Sequence, residues 1–133
     1  MQVFLPYSNF VQSVSCLDPK RLGNQIYREA LTLIKGGWRN HPASKIWFNH
    51  KYALAKYCIA GLDELSKRGR YYHRHYQFYS NVLNNEPNTG NPKCVGVEEF
   101  HSRHRAALLF KDFSWYSKFG WKEEPKIDYI WIF

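Results

Sequence analysis

The stretch from Pro42 to Arg68 most constrains the fold. Proline is tolerated at a first helical position and Gly69 supplies a C-terminal stop, so the pattern predicts one long helix between them. Along it, Trp47, Leu54, Cys58, Gly61 and Leu65 mark one apolar stripe, with Ile46, Ala53, Tyr57 and Ala60 beside it. That spacing is helical, and its width is that of a face buried by other helices. A second helix is expected over Pro19–Lys35, with Asp18 as its N-cap, Pro19 at its first position and Gly36-Gly37 closing it. Leu22, Ile26, Ala30 and Leu33 would be its inner face, and Arg21, Gln25, Arg28, Thr32 and Lys35 a polar face with three cations and no acid. Further helices are expected over Tyr72–Leu83 and Val97–Phe110, separated by the loop-forming run Asn84 to Pro92. Residues 113–133 read as an aromatic tail. The expected fold is therefore all-α: a compact single-domain helical bundle over residues 1–133, with a long central helix and an aromatic C-terminal tail.

Composition agrees with one globular domain. The chain has 133 residues, 44% hydrophobic and 23% charged, which excludes a disordered or collagen-like chain. Cys16, Cys58 and Cys94 are odd in number and form no paired motif, so buried reduced thiols are expected. The start of the sequence lacks the charge and apolar run of a secretory signal. The most apolar stretch, Tyr52 to Leu62, is far shorter than the roughly 20 residues a membrane helix needs. A cytoplasmic protein without a membrane partner is the expectation.

Charge is distributed unevenly. Of a formal +8, the segment from Pro19 to Tyr76 carries +9, from twelve Lys or Arg against Glu29, Asp63 and Glu64. A polyanion is the natural partner of such a segment, and the run Lys67-Arg68-Gly69-Arg70-Tyr71-Tyr72-His73-Arg74-His75-Tyr76 interleaves cations with rings that can stack on bases. Arg39-Asn40-His41 sits at the expected start of the long helix, where unpaired backbone N–H groups favour an anion, although the same residues also suit a helix cap. His101 and His104 share a helical face with Arg105 nearby. They could present donors to a pocket or phosphate, form interhelical hydrogen bonds, or supply half of a metal site for which no second cluster exists.

Several of these residues carry a resemblance. Asp18-Pro19-Lys20-Arg21-Leu22-Gly23, Gly37-Trp38-Arg39-Asn40-His41-Pro42-Ala43 and Phe100-His101 with His104-Arg105 resemble a group of small bacterial and phage proteins. The basic first helix, the middle helix ending Lys67-Arg68-Gly69 and the terminal Trp115-Tyr116-Ser117-Lys118-Phe119-Gly120 resemble the pyrimidine-dimer DNA glycosylase family, the endonuclease V of T-even phages.

The resemblance implies a DNA-repair N-glycosylase, with or without abasic-site lyase activity, acting on a damaged or modified pyrimidine through an N-terminal amine. Such an amine has a reference pKa of roughly 7.7 to 8.0, so part of it is neutral and nucleophilic at pH 7. The family exposes Thr by losing its initiator Met. Gln2 here disfavours that removal, so Met1 would supply the amine. The family's catalytic Glu falls at Arg21, with Glu29 two turns further along, leaving Asp18 or Glu99 as the expected carboxylate. Met1, Arg21, His41 and His104 are thus the candidate catalytic residues. Lys20, Arg21, Arg28, Arg39, Asn40, Lys67, Arg68, Arg70, Arg105, Trp115, Tyr116 and Lys118 are the candidate DNA contacts. The implied partner is double-stranded DNA with a flipped or damaged nucleotide, bound by a monomer without cofactor or metal. The alternatives are a non-catalytic nucleic-acid-binding module and an enzyme acting on nucleotides or modified bases through the Arg, Asn and His side chains.

Overall fold

A computed structural model describes residues 2–133; Met1 lies outside the described residues. The described chain is helical without strands: α1 (Phe10–Ser15), α2 (Pro19–Asn24), a π turn (Gln25–Glu29), α3 (Ala30–Ile34), α4 (Pro42–Trp47), α5 (Lys51–Lys67), α6 (His73–Asn85), α7 (Glu98–Lys111), α8 (Phe113–Tyr116) and a 3₁₀ turn (Ser117–Phe119). The all-α expectation holds. Among the described residues no helix is long and apolar enough to cross a membrane.

α5 is the centre. Leu54, Tyr57, Cys58 and Leu62 are almost completely buried, and α1 and α6 pack along its length. The segment α2–π–α3 crosses α5 at Gly61, where a β-carbon would lie 2.4 Å from Cδ1 of Ile26. That close approach explains a glycine inside an otherwise uninterrupted helix. The three thiols are free and buried, and burial raises each, Cys16 to about 12 and Cys94 to about 11.

The long helix expected over Pro42 to Arg68 is two. It breaks at Phe48–His50: the His50 N–H bonds the Trp47 carbonyl, and the His50 ring turns to Thr89 and the Gly90 carbonyl of the following loop. Thr89 also donates to the Asn49 carbonyl, so the break is where the Asn84–Pro92 segment is fastened to the bundle. The expected helix over Pro19–Lys35 is present but contains the π turn, in which the Ala30 N–H reaches back five residues to the Gln25 carbonyl. The buried Tyr79 donates its hydroxyl to the Ile26 carbonyl within that turn, fixing it from α6. The short α1 was not anticipated; Asn9 caps it through the Gln12 N–H at 2.9 Å.

The first residues have an unusual place. Residues 2–6 are all buried, yet they belong to no helix or strand. A buried backbone needs hydrogen-bond partners, and here side chains provide them. Gln25 Nε2 donates to the Gln2 carbonyl at 2.9 Å, while Gln25 Oε1 accepts from the Phe4 N–H at 2.8 Å. The Tyr57 hydroxyl donates to the Phe4 carbonyl at 2.8 Å. His104 Nδ1 accepts from the Leu5 N–H at 2.9 Å, and His101 Nδ1 lies 2.7 Å from the Leu5 carbonyl. Arg105 Nη1 donates to the Pro6 carbonyl at 2.7 Å. Three elements, the π turn, α5 and α7, thus hold one thread.

Candidate active site at the end of the N-terminal thread

Gln25 is the anchor nearest the start of the chain. The helical spacing places it on the polar face of the first helix, but only 2% of it is accessible, because the π turn directs it inward onto Gln2 and Phe4. Glu29 follows one turn later, and residues four apart on a helix are neighbours. Its half-buried carboxylate forms no hydrogen bond or ion pair among the described residues. Its charge acts on His41: partial burial lowers the imidazole from its usual value, and the Glu29 carboxylate opposes that shift. His41 Nδ1 accepts from the Ala43 N–H at 3.0 Å, so the neutral ring carries its proton on Nε2 and offers a donor. The cap reading of His41 is therefore realised. α4 is one short piece rather than the start of a long helix, so it brings to that position less of the dipole that a long helix would supply.

Aromatic rings close the remaining side. Trp131 meets His41 edge-on at 5.8 Å, Tyr129 lies 5.8 Å from Trp131, and Phe4 of the thread lies 6.5 Å from Tyr129. Burial pushes the Tyr129 phenol up to about 12, with the Arg21 cation opposing, so Arg21 borders the same cluster. Gln25 thus touches Gln2, the Glu29 charge reaches His41, and Arg21 borders the ring of Tyr129 in the cluster formed with the last residues of the chain. Gln25, Glu29, Tyr129 and Trp131 were not identified from the sequence. An i, i+4 pair of an amide and a carboxylate on the first helix was the available signal.

The other carboxylate candidates are committed elsewhere. Asp18 is buried, accepting from the Tyr116 hydroxyl at 2.5 Å and from Arg21 at 3.3 Å. Glu99 pairs with Arg103 at 3.0 Å.

His104 does not face a pocket. It is fully buried, and desolvation lowers it to about 3, so it stays neutral while holding Leu5. His101 accepts from the Gly96 N–H at Nε2 and donates through Nδ1 to Leu5, which spends both nitrogens and removes it as half of a metal site. Among the described residues no group of three or more His, Cys, Asp or Glu side chains is placed to hold a metal ion. Arg105 is half-buried, with its guanidinium engaged by Glu98, Glu123 and the Pro6 carbonyl, so its donors are spent within the protein. The group of Arg39, Asn40, His41, His101, His104 and Arg105 considered as a nucleotide site is thus split between a surface loop and the core.

Tyr116 is also internal, with its hydroxyl on Asp18. Trp115 donates to the Cys16 carbonyl at 2.8 Å and stands between Lys118, 3.5 Å from its ring centre, and Arg68, 6.0 Å away. Arg68 is further tied to Glu64 at 2.9 Å. Lys20, Arg28, Arg39, Asn40, Lys67, Arg70 and Lys118 are exposed. Of the twelve bases between Pro19 and Tyr76, only Arg21 and Arg68 form ion pairs among the described residues, so the positive field of this half is largely unneutralised. Lys35, Arg39, Lys45 and Lys51 line one cleft of about 780 Å³ with the exposed Phe48.

No curated protein and no solved structure matches the chain. The family model for pyrimidine dimer DNA glycosylases matches residues 1–80. That span takes in the thread from its first residue, the π turn, the loop bearing His41 and most of the cationic surface. By that match, over more than half its length, the chain belongs to the pyrimidine dimer DNA glycosylase family, a family of DNA-repair glycosylases.

Proposed function

We propose that this protein excises a damaged pyrimidine from duplex DNA and cleaves the resulting abasic strand, with the Met1 amine as nucleophile and Glu29 as the assisting carboxylate. The observation that carries the reading is the Gln25–Gln2 hydrogen bond, which anchors the second residue one helical turn from a carboxylate with no partner among the described residues. In the first step the amine lone pair attacks the sugar C1′, the C1′–N bond breaks, and the base leaves with that electron pair and a proton. Glu29 stabilises the positive charge that develops on the sugar as this bond opens. The C1′–O4′ bond of the sugar then breaks, O4′ takes up a proton from water, and the nitrogen, keeping its remaining proton, becomes a protonated imine. Removal of a C2′ proton next expels the 3′ phosphate by β-elimination, and water hydrolyses the imine to release the protein. His41, neutral with its proton on Nε2, acts as a donor toward the site. Arg21, Lys20 and Arg28 on the same helical segment neutralise phosphates, as do Arg39, Lys67 and Arg70. A nucleotide displaced from the stack costs a few kcal/mol, least where pairing is already damaged, which favours lesions.

The reading is tested with two duplexes of one sequence, one containing a single cyclobutane pyrimidine dimer and one undamaged. Wild-type protein should cut only the first, and Glu29→Gln should bind it but leave it whole. Salt-dependent binding with no cleavage of dimer or abasic duplex by the wild type would instead identify a non-catalytic binding module.

A further inference from the structure

Trp38 is the only non-glycine residue with a positive φ among the described residues, at 57°. A β-carbon makes this left-handed backbone unfavourable, most of all for a bulky side chain. The ring is also 61% exposed, so core packing does not repay the conformation. The loop around it is tightly built. Gly36 has φ 83°, a β-carbon on Gly37 would lie 2.7 Å from Thr32 Cγ2, the Ser44 hydroxyl bonds the Gly37 carbonyl, and the His41 N–H bonds the Trp38 carbonyl. A third glycine would be the unstrained solution. Tryptophan stands there instead, and strain retained with an exposed aromatic marks a residue kept for contact.

Its position says what it contacts. On one side its ring meets His41 edge-on at 6.3 Å, and His41 senses Glu29. On the other, its neighbours Gly37 and Arg39 are part of the cleft whose walls also carry Lys35, Lys45 and Lys51, with no acid among its lining residues. An indole between a candidate reaction centre and a cationic channel has the features of a stacking platform for a base whose phosphates run into the channel. We propose that Trp38 stacks on the base left without a neighbour when the target nucleotide leaves the duplex, and that the Lys35–Lys51 cleft takes the phosphates of that strand. This inference rests on the glycosylase reading and assigns it a positioning residue.

The test uses a duplex with one tetrahydrofuran abasic analogue, which cannot be opened by an amine, 2-aminopurine beside it, and an intact control. Wild-type protein should prefer the analogue duplex and quench the 2-aminopurine by stacking. Trp38→Ala should lose about ten-fold in affinity for the analogue duplex with little change for the control, and should restore the fluorescence. Trp38→Phe should retain most of both signals. Trp38→Gly should lose the preference with a Tm equal to or above the wild type, separating contact from folding. Undiminished preference and quenching in both Trp38→Ala and Trp38→Gly would overturn the role of Trp38 alone, provided the wild type still cleaves a natural abasic duplex. A wild type that neither prefers the analogue nor cleaves the natural site would overturn the glycosylase reading and this inference together.

Discussion

Glu29 and Gln25 divide the work of one helical turn, and substitutions separate it. Glu29→Gln keeps the shape and removes the charge. Cleavage of a dimer-containing duplex should fall by about 10²–10⁴ while the Tm stays within a few degrees of wild type. Gln25→Ala should act on the fold instead, because it leaves the Phe4 N–H and Gln2 carbonyl buried without their partner. At roughly 1–3 kcal/mol for each such group, urea unfolding should show a loss of about 2–6 kcal/mol, accompanied by lost cleavage. An unchanged unfolding midpoint would mean that the thread is not held as described. Residue roles were the least legible part of the sequence. His41 was singled out as capping or contacting, and it does cap. His104, Arg105 and Tyr116 carry the polar atoms of a surface site, but their spacing gives no sign that those atoms serve a buried backbone segment far away in the chain. Arg21 was marked for the catalytic position, and the structure pairs it with Asp18, while Gln25 in the π turn that follows faces inward onto the thread.

At the scale of elements, the helical pattern was largely readable. Every apolar position assigned to the inner faces of the first helix and of α5 is buried. Periodicity reports burial directly, which is why these faces were legible. The two interruptions were not, since each depends on a partner distant in sequence. Thr89 fastens the break after α4, and Tyr79 holds the Ile26 carbonyl inside the π turn. The crossing at Gly61 gives this scale its prediction. Gly61→Ala should gain helix propensity yet destabilise the protein by about 1–3 kcal/mol, because the added methyl meets the buried Ile26 side chain. A gain in Tm on Gly61→Ala would show that the two helices can separate at no cost.

For the whole molecule, charge and burial predict how binding and stability respond to solution conditions. Binding to duplex DNA should weaken linearly in log affinity against log salt, and Lys45→Ala should reduce the slope by about one if its cleft meets phosphate. Stability should depend on pH through His104 and His101, whose values burial lowers, His104 to about 3. The unfolded chain takes up protons near the ordinary histidine value of about 6.5, while the folded state refuses them. Stability is therefore full above that value and declines as pH falls, by up to about 1.4 kcal/mol per pH unit for each histidine kept neutral. Urea titrations from pH 7 to 5 should show this fall, and a flat profile would place both imidazoles in solvent.

The proposed reaction forms a covalent bond between the N-terminal amine and the sugar of the damaged nucleotide. It is tested most directly by incubating the protein with duplex DNA containing one natural abasic site, reducing with borohydride, and mapping the crosslinked peptide by mass spectrometry. A protein–DNA adduct on the Met1 amine, absent with undamaged duplex, is expected. An adduct on a lysine, or no adduct from protein whose Met1 amine is shown to be free, would contradict it.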